Sequence, residues 1–141
     1  MTVIVDVAPV IAAADPADRF CEAVRAVLAS ESHLIVPAPV SAEIDYLLRK
    51  RSGASAARAF LDDIAQGLVE VVGLTPGEHS VARQIDQQYD SLGLGLADAS
   101  VIVLASRFAT SRLLTFDERH FRAVRSLSGQ PFTLLPFDRD S

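Results

Sequence analysis

The sequence predicts an α/β fold, a mostly parallel sheet with helices on both faces. Short apolar, β-branched runs alternate with longer segments of helical spacing. The connections between them are brief and marked by Pro, Gly and Asp. The first run, Thr2-Val3-Ile4-Val5, is continuously β-branched, as in a strand covered on both faces. Strands that alternate with helices across short turns pair in parallel.

In order, the first strand is Thr2–Val5. Asp15-Pro16 is expected to open a helix, with Asp15 as cap and Pro16 in the first helical position, and Phe20, Val24, Val27 and Leu28 on its apolar face. His33-Leu34-Ile35-Val36 is the second strand, stopped by Pro37. A helix from Pro39 carries Val40, Ile44, Leu47 and Leu48 inward and stops at Gly53. The next helix turns Ala57, Phe60, Leu61 and Ile64 inward and ends at Gly67. Leu68–Val72 is the third strand. Thr75-Pro76-Gly77-Glu78 fits a capping box that opens a helix toward Tyr89. Leu96–Phe108 is a strongly apolar helix, Arg112–Thr115 a strand, and a last short strand lies near Phe132–Leu135.

Residues 1–141 are expected to form one domain. Half of the residues are hydrophobic, which excludes a disordered chain, yet no apolar stretch is long enough to span a bilayer. The N-terminus lacks a basic lead-in and cleavage pattern, so it is expected to be a strand and not a signal peptide. Cys21, the single cysteine, permits neither an internal disulfide nor a thiolate metal site, and a cytosolic location is expected. The formal charge of −5 argues against a simple nucleic-acid coat protein. Basic residues nonetheless cluster locally: Arg107, Arg112, Arg119, His120, Arg122 and Arg125 in one stretch, and Arg49-Lys50-Arg51 in another. Such clusters suit phosphate binding beside an acidic centre, or simply complement helix ends.

Four isolated acids stand at the ends of apolar segments: Asp6, Glu43, Asp98 and Asp117. Ligands of open parallel sheets collect beyond the carboxyl ends of the strands, where Asp6 and Asp117 both lie. Carboxylates gathered there repel one another unless a hard divalent cation neutralises them, which points to hydrolysis of phosphodiesters. Each acid also has a structural explanation. Asp6 serves equally as a turn or cap residue before Pro9, Glu43 as a surface group near a helix start, and Asp98 and Asp117 as helix caps. Asp98 stands out because no other charge occurs between Asp90 and Arg107. Ser100 and Thr115, two residues from an acid, are candidates to orient a carboxylate or a bound water.

An apolar strand ending in Asp6, then Ser41-Ala42-Glu43-Ile44, Gly95-Leu96-Ala97-Asp98-Ala99-Ser100 and Leu114-Thr115-Phe116-Asp117-Glu118-Arg119-His120-Phe121, resembles a PIN-domain ribonuclease. More narrowly, the chain resembles VapC-type toxins of toxin–antitoxin pairs over essentially its whole length. The resemblance implies a three-layer α/β/α sandwich, cleavage of RNA dependent on Mg²⁺ or Mn²⁺, a homodimer, and inhibition by a small cognate antitoxin. It implies Asp6, Glu43, Asp98 and Asp117 as catalytic and metal-binding residues; Mg²⁺ keeps several waters, so Asp6 and Asp98 are expected as direct ligands and Glu43 and Asp117 as acting directly or through water. Arg112, Arg119 and Arg122 are candidates for gripping RNA phosphates, and His120 is a weaker one. The chain departs from the family at Val7, where a Ser or Thr usually follows the first aspartate; Val7 offers no side-chain hydroxyl. That departure leaves open a catalytically weak PIN-like module that binds RNA or protein. A phosphoryl-transfer or receiver-type domain would want a lysine near the phosphate, and Lys50 is the sole lysine.

Overall fold

A computed structural model describes residues 1–139. The elements run β1 (Thr2–Val5), α1 (Val7–Ala13), α2 (Cys21–Ser30), β2 (His33–Pro37), α3 (Ala38–Ser52), α4 (Ala54–Ala65), β3 (Glu70–Val72), α5 (Pro76–Gln88), α6 (Gly95–Arg107), β4 (Arg112–Leu114), α7 (Glu118–Phe121) and β5 (Thr133–Leu135). A 3-10 turn, Asp90–Leu92, separates α5 from α6. The strands form one sheet of order β3-β2-β1-β4-β5, parallel throughout. The expected parallel sheet flanked by helices is therefore what the chain builds.

The pattern that predicts the strands also explains their burial. Val3, Ile4, Ile35, Val36, Leu113, Leu114 and Leu134 are fully enclosed. Each such aliphatic side chain contributes about 1.5–3 kcal/mol of transfer free energy. Helix α6 is buried on every side from Ala99 to Ala105, which explains why it lacks an amphipathic pattern. It packs on β1, β2, α3 and α5. The capping box at Thr75 and Glu78 forms as expected, and Glu78 also pairs with Arg107, tying α5 to α6.

The structure departs from the expectation at the chain's first crossover. A helix, α1, starts directly after β1, with Asp6 as its cap and Pro9 in its first turn. Asp15 does not open α2: its carboxylate accepts from Ala17 N–H, and Asp18 then accepts from Phe20 N–H. These two local turns delay the helix to Cys21. Strand β3 begins at Glu70 because Leu68 still completes the end of α4, its N–H donating to Asp63. Leu61, expected inward, is 46% exposed. Gly53 (φ +93°) lets α4 begin one residue after α3 ends, a conformation that favours glycine.

The order of strands fixes where a ligand would sit. From β1 the chain moves to β2 on one side and, later, to β4 on the other. The carboxyl ends of β1 and β4 therefore border the switch point where open α/β sheets form clefts.

Candidate active site

Asp6 leaves β1 beside β4, its N–H bonded to the carbonyl of Leu114. One carboxylate oxygen accepts from Val7 N–H at 2.9 Å, and the other from the Thr115 hydroxyl at 2.7 Å. Thr115 is fully buried, and its oxygen also accepts from Asp117 N–H at 3.0 Å. A single hydroxyl thus fixes the exits of both central strands. It supplies to Asp6 the side-chain donor that Val7 lacks.

Asp117 caps α7, accepting from His120 N–H at 3.0 Å. Asp98 lies in the first turn of α6 and is not its cap, because the helix already begins at Gly95. The imidazole Nδ1 of His120 sits 2.9 Å from Asp98 Oδ2 and 2.8 Å from Asp117 Oδ2. With carboxylates on both sides, that nitrogen carries the hydrogen. Glu43 completes the set from α3. Asp6, Glu43, Asp98 and Asp117 all line one cleft of ≈ 300 Å³, with Val7 and Leu47 among its apolar walls.

The electrostatics are those of an under-neutralised anionic site. Burial pushes the Asp98 carboxyl from its ordinary 3.8 up to about 6. The negative charges of Asp6 and Asp117 add to that rise, and His120 opposes it. Asp6 is also raised, chiefly by burial, against the hydrogen bonds from Thr115 and Val7. The charges of Asp117 and Glu43 push it the same way. Two carboxylates within the 4.8 Å that encloses the ligand atoms of Asp98, Asp117 and His120 would repel by about 3 kcal/mol at a surface-like dielectric. The donor set, hard oxygens with one imidazole and a shortage of positive charge, fits a divalent cation.

The basic candidates divide. Arg112 starts β4, at the sheet edge opposite the acids, and its guanidinium is buried against Glu31 at 2.5 and 2.9 Å. It is not placed to grip a phosphate at the cleft. Arg122 is engaged by Glu118 and, through two hydrogen bonds, by Asp138. Arg119 is exposed beside Asp117. Ser100 is wholly buried and donates to the carbonyl of Ala97 at 2.6 Å, so it braces the turn carrying Asp98 and does not orient a carboxylate.

Sequence reasoning missed two groups. Arg51 lines the cleft, and the spacing Glu43, Leu47, Arg51 puts three lining residues on one face of α3. His120, expected only as a weaker phosphate-gripping candidate, follows Asp117 by one helical turn and sits between two carboxylates. Asp45, by contrast, pairs with Arg49 at 3.0 Å, as its spacing suggests.

A family model described as the PIN domain matches residues 3–127. The chain belongs to the PIN-domain family. It is 37% identical over 134 residues to Ribonuclease VapC26 of Mycobacterium tuberculosis (strain ATCC 25618 / H37Rv), a match covering 94% of this chain and 99% of that protein. Two solved structures share the PIN fold. VapC20 of Mycobacterium tuberculosis, described as a sarcin-ricin loop cleaving toxin, superposes with a TM-score of 0.74 at 20% identity, over 82% of this chain and 90% of that one. VapBC2 of Rickettsia felis, solved bound to a DNA fragment from its promoter, gives a TM-score of 0.67 at 15% identity, over 95% and 98%. Among the described residues of this PIN protein, no helix is long and apolar enough to cross a membrane.

Proposed function

We propose that residues 1–141 act as one PIN-like domain, a Mg²⁺- or Mn²⁺-dependent endoribonuclease that serves as the toxin of a type II toxin–antitoxin pair. The observation that carries this reading is the convergence of four acids from distant parts of the chain on one cleft at the sheet's switch point. Its relationship to a VapC ribonuclease over nearly its full length supports the substrate class.

Asp6 and Asp98 would hold the metal, with Glu43 and Asp117 completing the carboxylate set around it. A bound divalent ion supplies Lewis acidity toward phosphate and a water of lowered pKa. Thr115 keeps Asp6 in its ligating orientation, the outer support on which such sites depend. His120, between Asp98 and Asp117, would partly offset their charge beside the ion. Arg51, which lines the cleft, replaces Arg112 as a phosphate-gripping candidate, and the exposed Arg119 remains one. The rival reading, a PIN-like module that binds but scarcely cuts, rested on Val7; the Thr115 hydroxyl on Asp6 favours activity.

A small antitoxin and a second copy of the chain are the proposed protein partners. Tyr46 on α3 and Leu61 on α4, 61% and 46% exposed, support a protein-binding face there. The deciding measurement is RNA cleavage by purified protein with Mg²⁺, with Mn²⁺ and with EDTA. Cleavage is expected with either ion and none with EDTA; cleavage undiminished by EDTA would overturn the mechanism.

A further inference from the structure

Beside the acids, the same sheet edge carries an aromatic cluster that catalysis does not use. Leu114 and Leu135 are register partners in β4 and β5, so Phe116 and Phe137 each leave the sheet two residues later, on the acidic edge. Phe20 reaches the same place from the segment between α1 and α2. The ring centroids are 5.1 Å apart for Phe20–Phe116, 5.4 Å for Phe20–Phe137 and 5.7 Å for Phe116–Phe137. All three rings remain partly exposed.

The cluster is held in place. Phe20 N–H donates to Asp18 at 2.8 Å. Phe116 is fixed between Thr115 and Asp117, whose contacts build the acidic site. Phe137 precedes Asp138, which accepts from Leu134 N–H at 2.7 Å and from Arg122 at 2.8 Å. Over Phe20, at 4.6 Å from its centroid, lies the exposed guanidinium of Arg19, for which the described residues supply no carboxylate partner. Rigid, partly exposed rings topped by an available cation are the elements with which proteins stack nucleobases and hold the attached phosphate.

We infer that Phe20, Phe116 and Phe137 form a stacking platform for an unpaired nucleobase of the RNA, next to the scissile phosphate, with Arg19 contacting the adjoining backbone. This rests on the ribonuclease reading for the position of the cleaved bond. It specifies single-stranded or looped RNA, since a base can reach the rings only when out of its helix.

The test measures binding of a short single-stranded oligoribonucleotide, and of versions carrying an abasic residue at each position in turn. Asp98→Asn protein, and Asp98→Asn combined with Phe137→Leu, prevent turnover during the titration. Phe137→Leu preserves apolar volume but removes the ring face. It should weaken binding of the intact RNA roughly 5- to 150-fold. At one abasic position the two proteins should bind equally, and Phe137→Trp should restore affinity. Metal binding by calorimetry, in the background with Asp98 intact, should be unchanged by Phe137→Leu. Equal affinity of both proteins for intact RNA, or a loss that is the same at every abasic position, overturns the platform while metal-dependent cleavage still stands. Position-specific binding without any cleavage by the wild-type chain overturns only the nuclease reading. If the wild-type and Asp98→Asn chains bind no RNA, both fall.

Discussion

The two edges of the sheet are both polar, and they differ in how charge is arranged. At the amino edge, acids meet basic partners: Arg112 pairs with Glu31, and the His33 ring hydrogen-bonds Glu70. A cavity of ≈ 560 Å³ is also there, lined by Ser106, Thr110, Ser126, Gln130 and neighbours without one ionisable side chain. At the carboxyl edge a smaller cleft gathers four like charges. Opposite charges in pairs support a fold, whereas an excess of gathered like charges costs stability and is a mark of functional sites. Charge balance points to the carboxyl-edge cleft as the candidate site, whereas cavity size points elsewhere.

That contrast can be broken from either side. The largest effect is expected at the carboxyl edge: Asp98→Asn should lower RNA cleavage by at least roughly 10²–10³-fold, the scale of removing a key electrostatic group. The same change should raise the melting temperature in EDTA, because it removes a charge that the fold resists. A variant that both cuts normally and melts lower contradicts the account. At the amino edge the signs reverse. Arg112→Ala removes the buried guanidinium that pairs with the partly buried Glu31 and should cost about 3 kcal/mol in denaturant unfolding, with metal affinity unchanged.

Acidity gives a third handle. The Asp98 carboxyl titrates at about 6 in the fold and near 3.8 when unfolded. The folded state therefore binds the proton more tightly, so this group's contribution is fully present below 3.8 and is lost as pH rises through about 6. Metal-free protein should gain on the order of 1–3 kcal/mol between pH 7 and pH 4 from this group, a slope that Asp98→Asn removes. Denaturation in EDTA across that range measures it. The smallest effect is Thr115→Val, which should weaken metal affinity or cleavage roughly 10-fold through loss of the hydroxyl on Asp6. Unchanged titration calorimetry and kinetics would show that Val7 N–H alone suffices to orient Asp6.

Much of this arrangement was legible in the residues. The β-branched runs gave the strands, and Asp98 stood out as a lone charge in an apolar helix. Helix α1 was hidden because Val7–Ala13 is apolar on nearly every side and carries Pro9, so neither periodicity nor propensity marks it. Arg112 was grouped with Asp117 by proximity in sequence, but five residues of near-extended chain carry a side chain roughly 16 Å, from one edge of the sheet to the other. The roles of Arg51 and His120 depend on which helix faces which cleft, and that is a tertiary fact.

The bond between Thr115 and Asp6 joins residues 109 apart in the chain. Glu43 and Asp6 are therefore made long before β4 can dock beside β1 and bring Asp117 with it. A nascent or truncated polypeptide that stops short of Thr115 has at most three of the carboxylates and lacks the strand that aligns them. The set of four carboxylates is thus complete only once synthesis has passed Asp117.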